Sequence, residues 1–156
     1  VVSDKNPELP ESERREVARV VGLGAVKYAD LLPNRQSDYV FSWDKMLALE
    51  GNTAPYLQYA CARIGSLLQK HAERFPGEDC SGCPIVLGDP LERRLAVRLV
   101  RFADQLRGAV ESYRPNVLCD YLFDLAQTYT TEFVNNVPPT QPGESADGSS
   151  AQEAAP

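Results

Sequence analysis

Val21-Gly-Leu-Gly-Ala-Val-Lys-Tyr-Ala-Asp30, Asn34-Arg-Gln-Ser-Asp-Tyr-Val-Phe-Ser-Trp-Asp-Lys-Met-Leu47 and Gly51-Asn-Thr-Ala-Pro-Tyr-Leu-Gln-Tyr-Ala-Cys-Ala-Arg63 form one nearly continuous run with three kinds of local order. The first part continues a helix that opens with Ser12 as N-cap and acids in its first turn. Val17, Val20, Val21 and Leu23 or Gly24 recur along it at helical spacing. Gly22 and Gly24 weaken that helix, and Pro33 with Asn34 ends it after Leu31. Residues 34–42 mix polar and aromatic side chains without a helical period, which predicts a compact surface loop. A short helix from Trp43 to about Leu49 follows, closed by Gly51. Thr53 then caps a second long helix, with Pro55 in its first turn, where a missing N–H costs little.

Outward from this run the pattern stays helical. Tyr56, Tyr59, Ala60, Arg63, Leu67 and Lys70 keep a rhythm of three or four residues down one side of the second long helix. Residues 75–90 hold three Pro and three Gly and read as a loop. Asp89 caps a third helix with Pro90 at its first position. Leu91, Leu95, Leu99, Phe102, Leu106 and Val110 form its expected buried stripe, and Arg94, Arg98 and Arg101 line another, solvated face. Pro115 opens a fourth helix, in which Leu118, Leu122, Leu125 and Tyr129 repeat at one-turn spacing. No internal repeat and no convincing strand is found. The expected class is all-α, an antiparallel helical bundle.

The 156 residues suit one domain. Residues 137–156 are rich in Pro, Gly, Ser, Ala and Glu and too poor in apolar side chains to offset their ordering entropy, so they read as a disordered tail. No secretion signal and no apolar run of about 20 residues is present, which makes a cytoplasmic location and no membrane partner the plain expectation. The net charge of −6 argues against broad nucleic-acid binding. Its distribution softens that, because residues 60–114 carry nine Lys or Arg against seven acids, while residues 115–156 carry six acids and no Lys or Arg. A small phosphate footprint with a modest salt slope remains compatible with it. Of the four cysteines, Cys80 and Cys83 have the spacing of half a zinc site. With no second such pair and His71 the only histidine, the plainer reading is a loop holding two thiols, and no metal site is expected. Cys61 and Cys119 lie in apolar helical surroundings and are expected as small buried hydrophobes.

The run from Val21 to Arg63, with Tyr113-Arg-Pro-Asn-Val-Leu118 and Tyr121-Leu-Phe-Asp-Leu-Ala126, resembles the segment that joins the catalytic core of arginyl-tRNA synthetases to their helical anticodon-binding domain. The resemblance covers roughly residues 1–135. It implies three parts: residues 1–50 as the end of the catalytic core with its junction helix and loop, 51–136 as the anticodon-binding helices, and 137–156 as the tail. Because the family continues with further helices where this chain runs into Val137-Pro-Pro-Thr-Gln-Pro142, the bundle is expected to be incomplete.

The resemblance also implies a partner, arginine tRNA, and site residues. Asn34 and Arg35 would lie near the RNA backbone, and Tyr56, Arg63 and Tyr121 near anticodon bases. Residue chemistry agrees, since Tyr56 and Arg63 are two helical turns apart on one face, where a ring can stack a base and a guanidinium can clamp a phosphate. Each also has a bland structural role open to it: Tyr39, Phe41 and Trp43 as pins for the loop, Tyr56 and Tyr121 as core tyrosines. Cys61 stands where many family members have an aromatic. The His-Ile-Gly-His-like and Lys-Met-Ser-Lys-like loops with which the family handles ATP are absent, and no other catalytic arrangement replaces them. Catalysis by this chain alone is therefore not expected; ATP and Mg belong to the parent enzyme, with the rest of its catalytic domain as a second partner and no role for DNA. Two other classes compete: a non-catalytic helical interaction module derived from the same fold, and a thiol-metal module on Cys80 and Cys83.

Overall fold

The computed structural model describes residues 8–78 and 81–133. Cys80 and the tail assigned to 137–156 lie outside them. Helix α1 spans Glu11–Leu31, α2 Trp43–Met46, α3 Ala54–Arg74, α4 Pro90–Val100, α5 Phe102–Ser112 and α6 Pro115–Gln127, with a π-helical turn at Thr128–Phe133 continuing from α6. No strand occurs among the described residues. The protein is a helical bundle, as the sequence pattern implies.

Local chemistry sets most of the boundaries. Thr53 caps α3, its hydroxyl accepting from the Tyr56 amide at 3.3 Å, and its own proton goes to the Ala48 carbonyl at 2.7 Å. Asp89 caps α4 in a full capping box: its carboxylate accepts from Leu91 N at 2.7 Å, and Glu92 reaches back to the Asp89 amide at 3.0 Å. Gly51 takes a left-handed φ of +82°, the conformation that turns the chain from α2 into α3. Two start and stop expectations need correction. Pro10, not Ser12, stands at the N-cap of α1, where no side chain caps the helix. The helix at Trp43 stops at Met46, because Leu47 leaves helical geometry.

Helix α1 packs along α3, and α5 packs back along α6 across a tight link at Tyr113 and Arg114. Helix α6 also meets α1, α3 and α4, and the π turn closes onto α4. The buried apolar side chains are mostly small: Ala25, Ala54, Ala60, Ala109 and Cys119, with Met46 and Tyr121. Small side chains let helix backbones come close, and Gly24 extends this, since a Cβ there would lie 2.6 Å from Gln58 Nε2. That amide donates to the Val20 carbonyl at 3.3 Å and ties α3 to α1.

The stripe from Leu91 to Val110 is not a buried face. The helix breaks at Arg101, whose amide divides between the Val97 and Arg98 carbonyls at 3.2 Å each. This tightened turn shifts the register, so Leu99, Phe102, Leu106 and Val110 are exposed and only Ala109 of α5 is buried. Cys61 is likewise exposed rather than buried, whereas Cys119 is buried as expected. Burial raises the Cys119 thiol pKa above its ordinary range. Helix α5 ends at Tyr113 in the left-handed region, φ 52°, ψ 40°. That conformation costs a residue with a Cβ roughly 1–2 kcal/mol, which is why glycine usually takes such positions.

Candidate nucleic-acid interface

The loop after α1 is organised by its own side chains. Asn34 Oδ1 accepts from the Gln36 amide at 3.2 Å and the Asn34 carbonyl accepts from Ser37 N at 2.8 Å, so Asn34 builds the turn that presents Arg35. The Tyr39 hydroxyl donates to Asp30 Oδ1 at 2.6 Å and pins the loop back onto α1. Ser42 Oγ accepts from Lys45 N at 3.4 Å and starts α2. Phe41 and Trp43 meet edge to face at a centroid distance of 4.8 Å, yet both remain about half exposed. Behind the loop lies a largely apolar cleft of about 250 Å³, lined by Ala25, Tyr28, Leu32, Tyr39, Val40 and Met46 among others.

Arg35 reaches the link between α5 and α6. Its guanidinium carbon lies 5.9 Å from the centroid of the Tyr113 ring, within the range of a cation–π contact. Tyr113 nevertheless remains 72% exposed as a residue. Arg114 beside it is exposed as well.

The other expected site residues sit differently. Tyr56 is half-buried; its hydroxyl is 2.6 Å from Thr130 Oγ1 and its ring is 5.5 Å from that of Phe123. Arg63, one face of α3 further along, is half-buried and forms no ion pair among the described residues. Tyr121 is buried at 8% exposure, its hydroxyl donates to the Arg98 carbonyl at 2.9 Å, and its ring lies 6.0 Å from that of Phe102. Burial raises its pKa above the ordinary tyrosine value. This ring pins α6 to α4 and α5, the bland structural role that the sequence left open beside a place near anticodon bases. Arg98 pairs with Asp124 at 3.3 Å, so this member of the arginine stripe serves the fold.

The structure thus brings Arg35, on the turn built by Asn34, to Tyr113, which the sequence placed in the resembling segment without a site role. The available signal was a bulky side chain directly before Arg114-Pro115, where a helix end favours glycine. Among the described residues no three His, Cys, Asp or Glu side chains gather as metal ligands.

With this geometry in hand, comparison with known proteins is specific. Residues 57–142 match the DALR anticodon binding domain, and residues 1–43 match the catalytic domain of class I tRNA synthetases of the arginine type. The chain is 48% identical over 129 residues to an arginine–tRNA ligase of Laribacter hongkongensis, covering 83% of this chain and 22% of that protein. It is 47% identical over 135 residues to the one of Proteus mirabilis, covering 86% and 23%. The solved arginyl-tRNA synthetase of Thermus thermophilus superposes with a TM-score of 0.72 at 35% identity, covering 90% of this chain and 22% of that one. The chain spans about a fifth of the length of the relatives it matches. Helical architecture, the matched segments and these relatives agree: the chain belongs to the DALR anticodon-binding domain family, in the form found in arginyl-tRNA synthetases.

Proposed function

We propose that this chain holds the anticodon region of arginine tRNA, as the tRNA-binding part of a ligase that joins arginine to its tRNA with ATP and Mg. The observation that carries the reading is the family match together with an exposed, internally braced loop that presents Arg35 beside an uncovered aromatic ring. Residues 1–50 serve as the junction to the catalytic core and residues 51–136 as the anticodon-binding helices. Asn34 shapes the loop rather than reaching outward, Arg35 and Arg63 neutralise backbone phosphate, and Tyr56 offers the free part of its ring. Tyr121 acts by packing, holding α6 in place. The catalytic domain of the same ligase is the second partner.

Titration of the purified chain with arginine tRNA at two salt concentrations, beside a tRNA altered at the middle anticodon base, tests this. Binding that weakens with salt and with the altered base supports an anticodon site. Equal weak binding to both tRNAs leaves only backbone attraction. Absence of binding favours the helical interaction module, a reading supported by the exposed Val17, Val20, Leu23 and Val26 of α1.

A further inference from the structure

Tyr113 is placed at a cost that packing does not explain. It sits at the C-terminal cap of α5 in the left-handed region, where glycine would be unstrained. Strain of this kind persists where the surroundings hold it and where the side chain has a use. A core use is ruled out by geometry, because Tyr113 as a residue is 72% exposed. Among the described residues its ring or cation contact is with Arg35, whose guanidinium stands 5.9 Å from the centroid. Arg35 in turn is placed by the Asn34 turn, and that loop is fastened to α1 through Tyr39 and Asp30. Two separately braced elements, the loop after α1 and the α5–α6 link, therefore bring an aromatic face and a fixed cation together at one exposed point.

From this juxtaposition we propose that Tyr113 is a stacking platform for one unpaired RNA base, with Arg35 placed to hold the adjoining phosphate. The assignment rests on the tRNA-binding reading and gives Tyr113 a role that the resemblance did not assign to it. An aromatic face stacks any base, since every base has a π face, and a neighbouring cation favours the nucleotide's phosphate over an uncharged ring. The pair suits a base already splayed from its neighbours, as in a loop, and not one inside a duplex. Tyr113 and Arg35 also span the junction between the region matching the catalytic domain and the region matching the anticodon domain. A nucleotide bound there would be gripped from both sides of that junction.

The test uses the full chain and arginine tRNA transcripts in which each unpaired anticodon-loop base is replaced in turn by 2-aminopurine, whose fluorescence is quenched on stacking. Quenching at one position is expected with the unaltered chain and with Tyr113→Phe. Tyr113→Ala is expected to abolish that quenching and weaken binding by about tenfold, the usual range for one lost stack. Arg35→Ala should weaken binding and flatten its salt dependence while much of the quenching remains. Because Tyr113→Ala relaxes only mildly in the left-handed region, a Tyr113→Gly variant, which removes the strain, guards against a folding artefact and is expected to lose quenching equally. Should Tyr113→Ala and Tyr113→Gly bind and quench like the unaltered chain, Tyr113 is not the platform, while the tRNA-binding function stands. If the unaltered chain binds no tRNA, both readings fall together.

Discussion

Gly22 and Gly24 lie two residues apart in α1 and meet different surroundings. Nothing lies within 4 Å of a Cβ built at Gly22, so alanine there adds helix propensity without a clash. Gly22→Ala should raise stability by about 0.5–1 kcal/mol. At Gly24 the same gain is opposed, because the Cβ would stand 2.6 Å from Gln58 Nε2. The contact is to the end of a flexible side chain, so the amide can swing aside, but it then gives up its bond to the Val20 carbonyl. One lost hydrogen bond costs about 1 kcal/mol, which cancels the propensity gain. Urea unfolding midpoints of the two variants should therefore differ, with Gly22→Ala raised and Gly24→Ala near the parent value. Equal gains at both sites would show that Gln58 does not tie α3 to α1.

At the scale of elements, a single tyrosine fastens three of them. The Tyr28 hydroxyl, on α1, lies 2.5 Å from Asn52 Oδ1 in the turn before α3 and 3.0 Å from the Cys119 carbonyl in α6. Asn52 Nδ2 continues the chain of bonds to Asp120 Oδ1 at 3.2 Å. Burial, reinforced by Cys119 and the Asp120 carboxylate, raises the Tyr28 pKa well above its ordinary value of 10.0. The sign follows from proton counting. Below about pH 10 both folded and unfolded chains keep the phenolic proton, and the contribution of Tyr28 is complete. Above it the unfolded chain releases the proton while the folded one keeps it, so stability falls as pH rises. Tyr28→Phe should be less stable than the parent at neutral pH yet lose less stability between about pH 10 and 11. Denaturation midpoints across that range, parent against variant, check it. The burial of Cys119 adds a similar loss that begins near its lower ordinary value of 9.0 and is common to both proteins. Parallel curves above pH 10 would remove Tyr28 from the account.

The same elements show why some of the fold was legible in the sequence and some was not. Thr53, Asp89 with Glu92, Gly51 and the prolines act within a few residues of themselves, so the starts of α3, α4 and α6 could be read directly. Tertiary burial obeys no such local rule. The apolar periodicity from Leu91 to Val110 is real, but the turn at Arg101 breaks its register, and no packed helix covers the exposed half of it among the described residues. Cys61 faces solvent although its sequence neighbours are apolar, because exposure on a helix face depends on which helices cover it. Tyr121 entered as a site residue through the resemblance of its segment, and only the position of Arg98 across the bundle shows that its hydroxyl is engaged within the fold. Tyr113 escaped notice for the opposite reason: its interest lies in a backbone conformation and in a loop some eighty residues away.

Across the whole molecule, charge decides how RNA binding must respond to salt. The net charge is −6, so long-range attraction to RNA is absent and any grip depends on local cations. The cations assigned to phosphate are Arg35 and Arg63, with Arg114 exposed beside Tyr113, whereas Arg98 is engaged with Asp124. Each phosphate neutralised contributes a slope of roughly −0.7 to −0.9 in log K against log salt, so these cations together give about −2 to −3. Such a slope means that binding loses less than about a hundredfold between 50 and 200 mM salt, far below the loss seen when many phosphates are contacted. Titrations at several salt concentrations measure it directly. If the slope is near −2 to −3 and falls by about one in Arg35→Ala, the footprint is the small one centred on the loop. A slope steeper than about −5 would require many more phosphate contacts than this face can supply, and would place the RNA along the arginines of α4 and α5 instead.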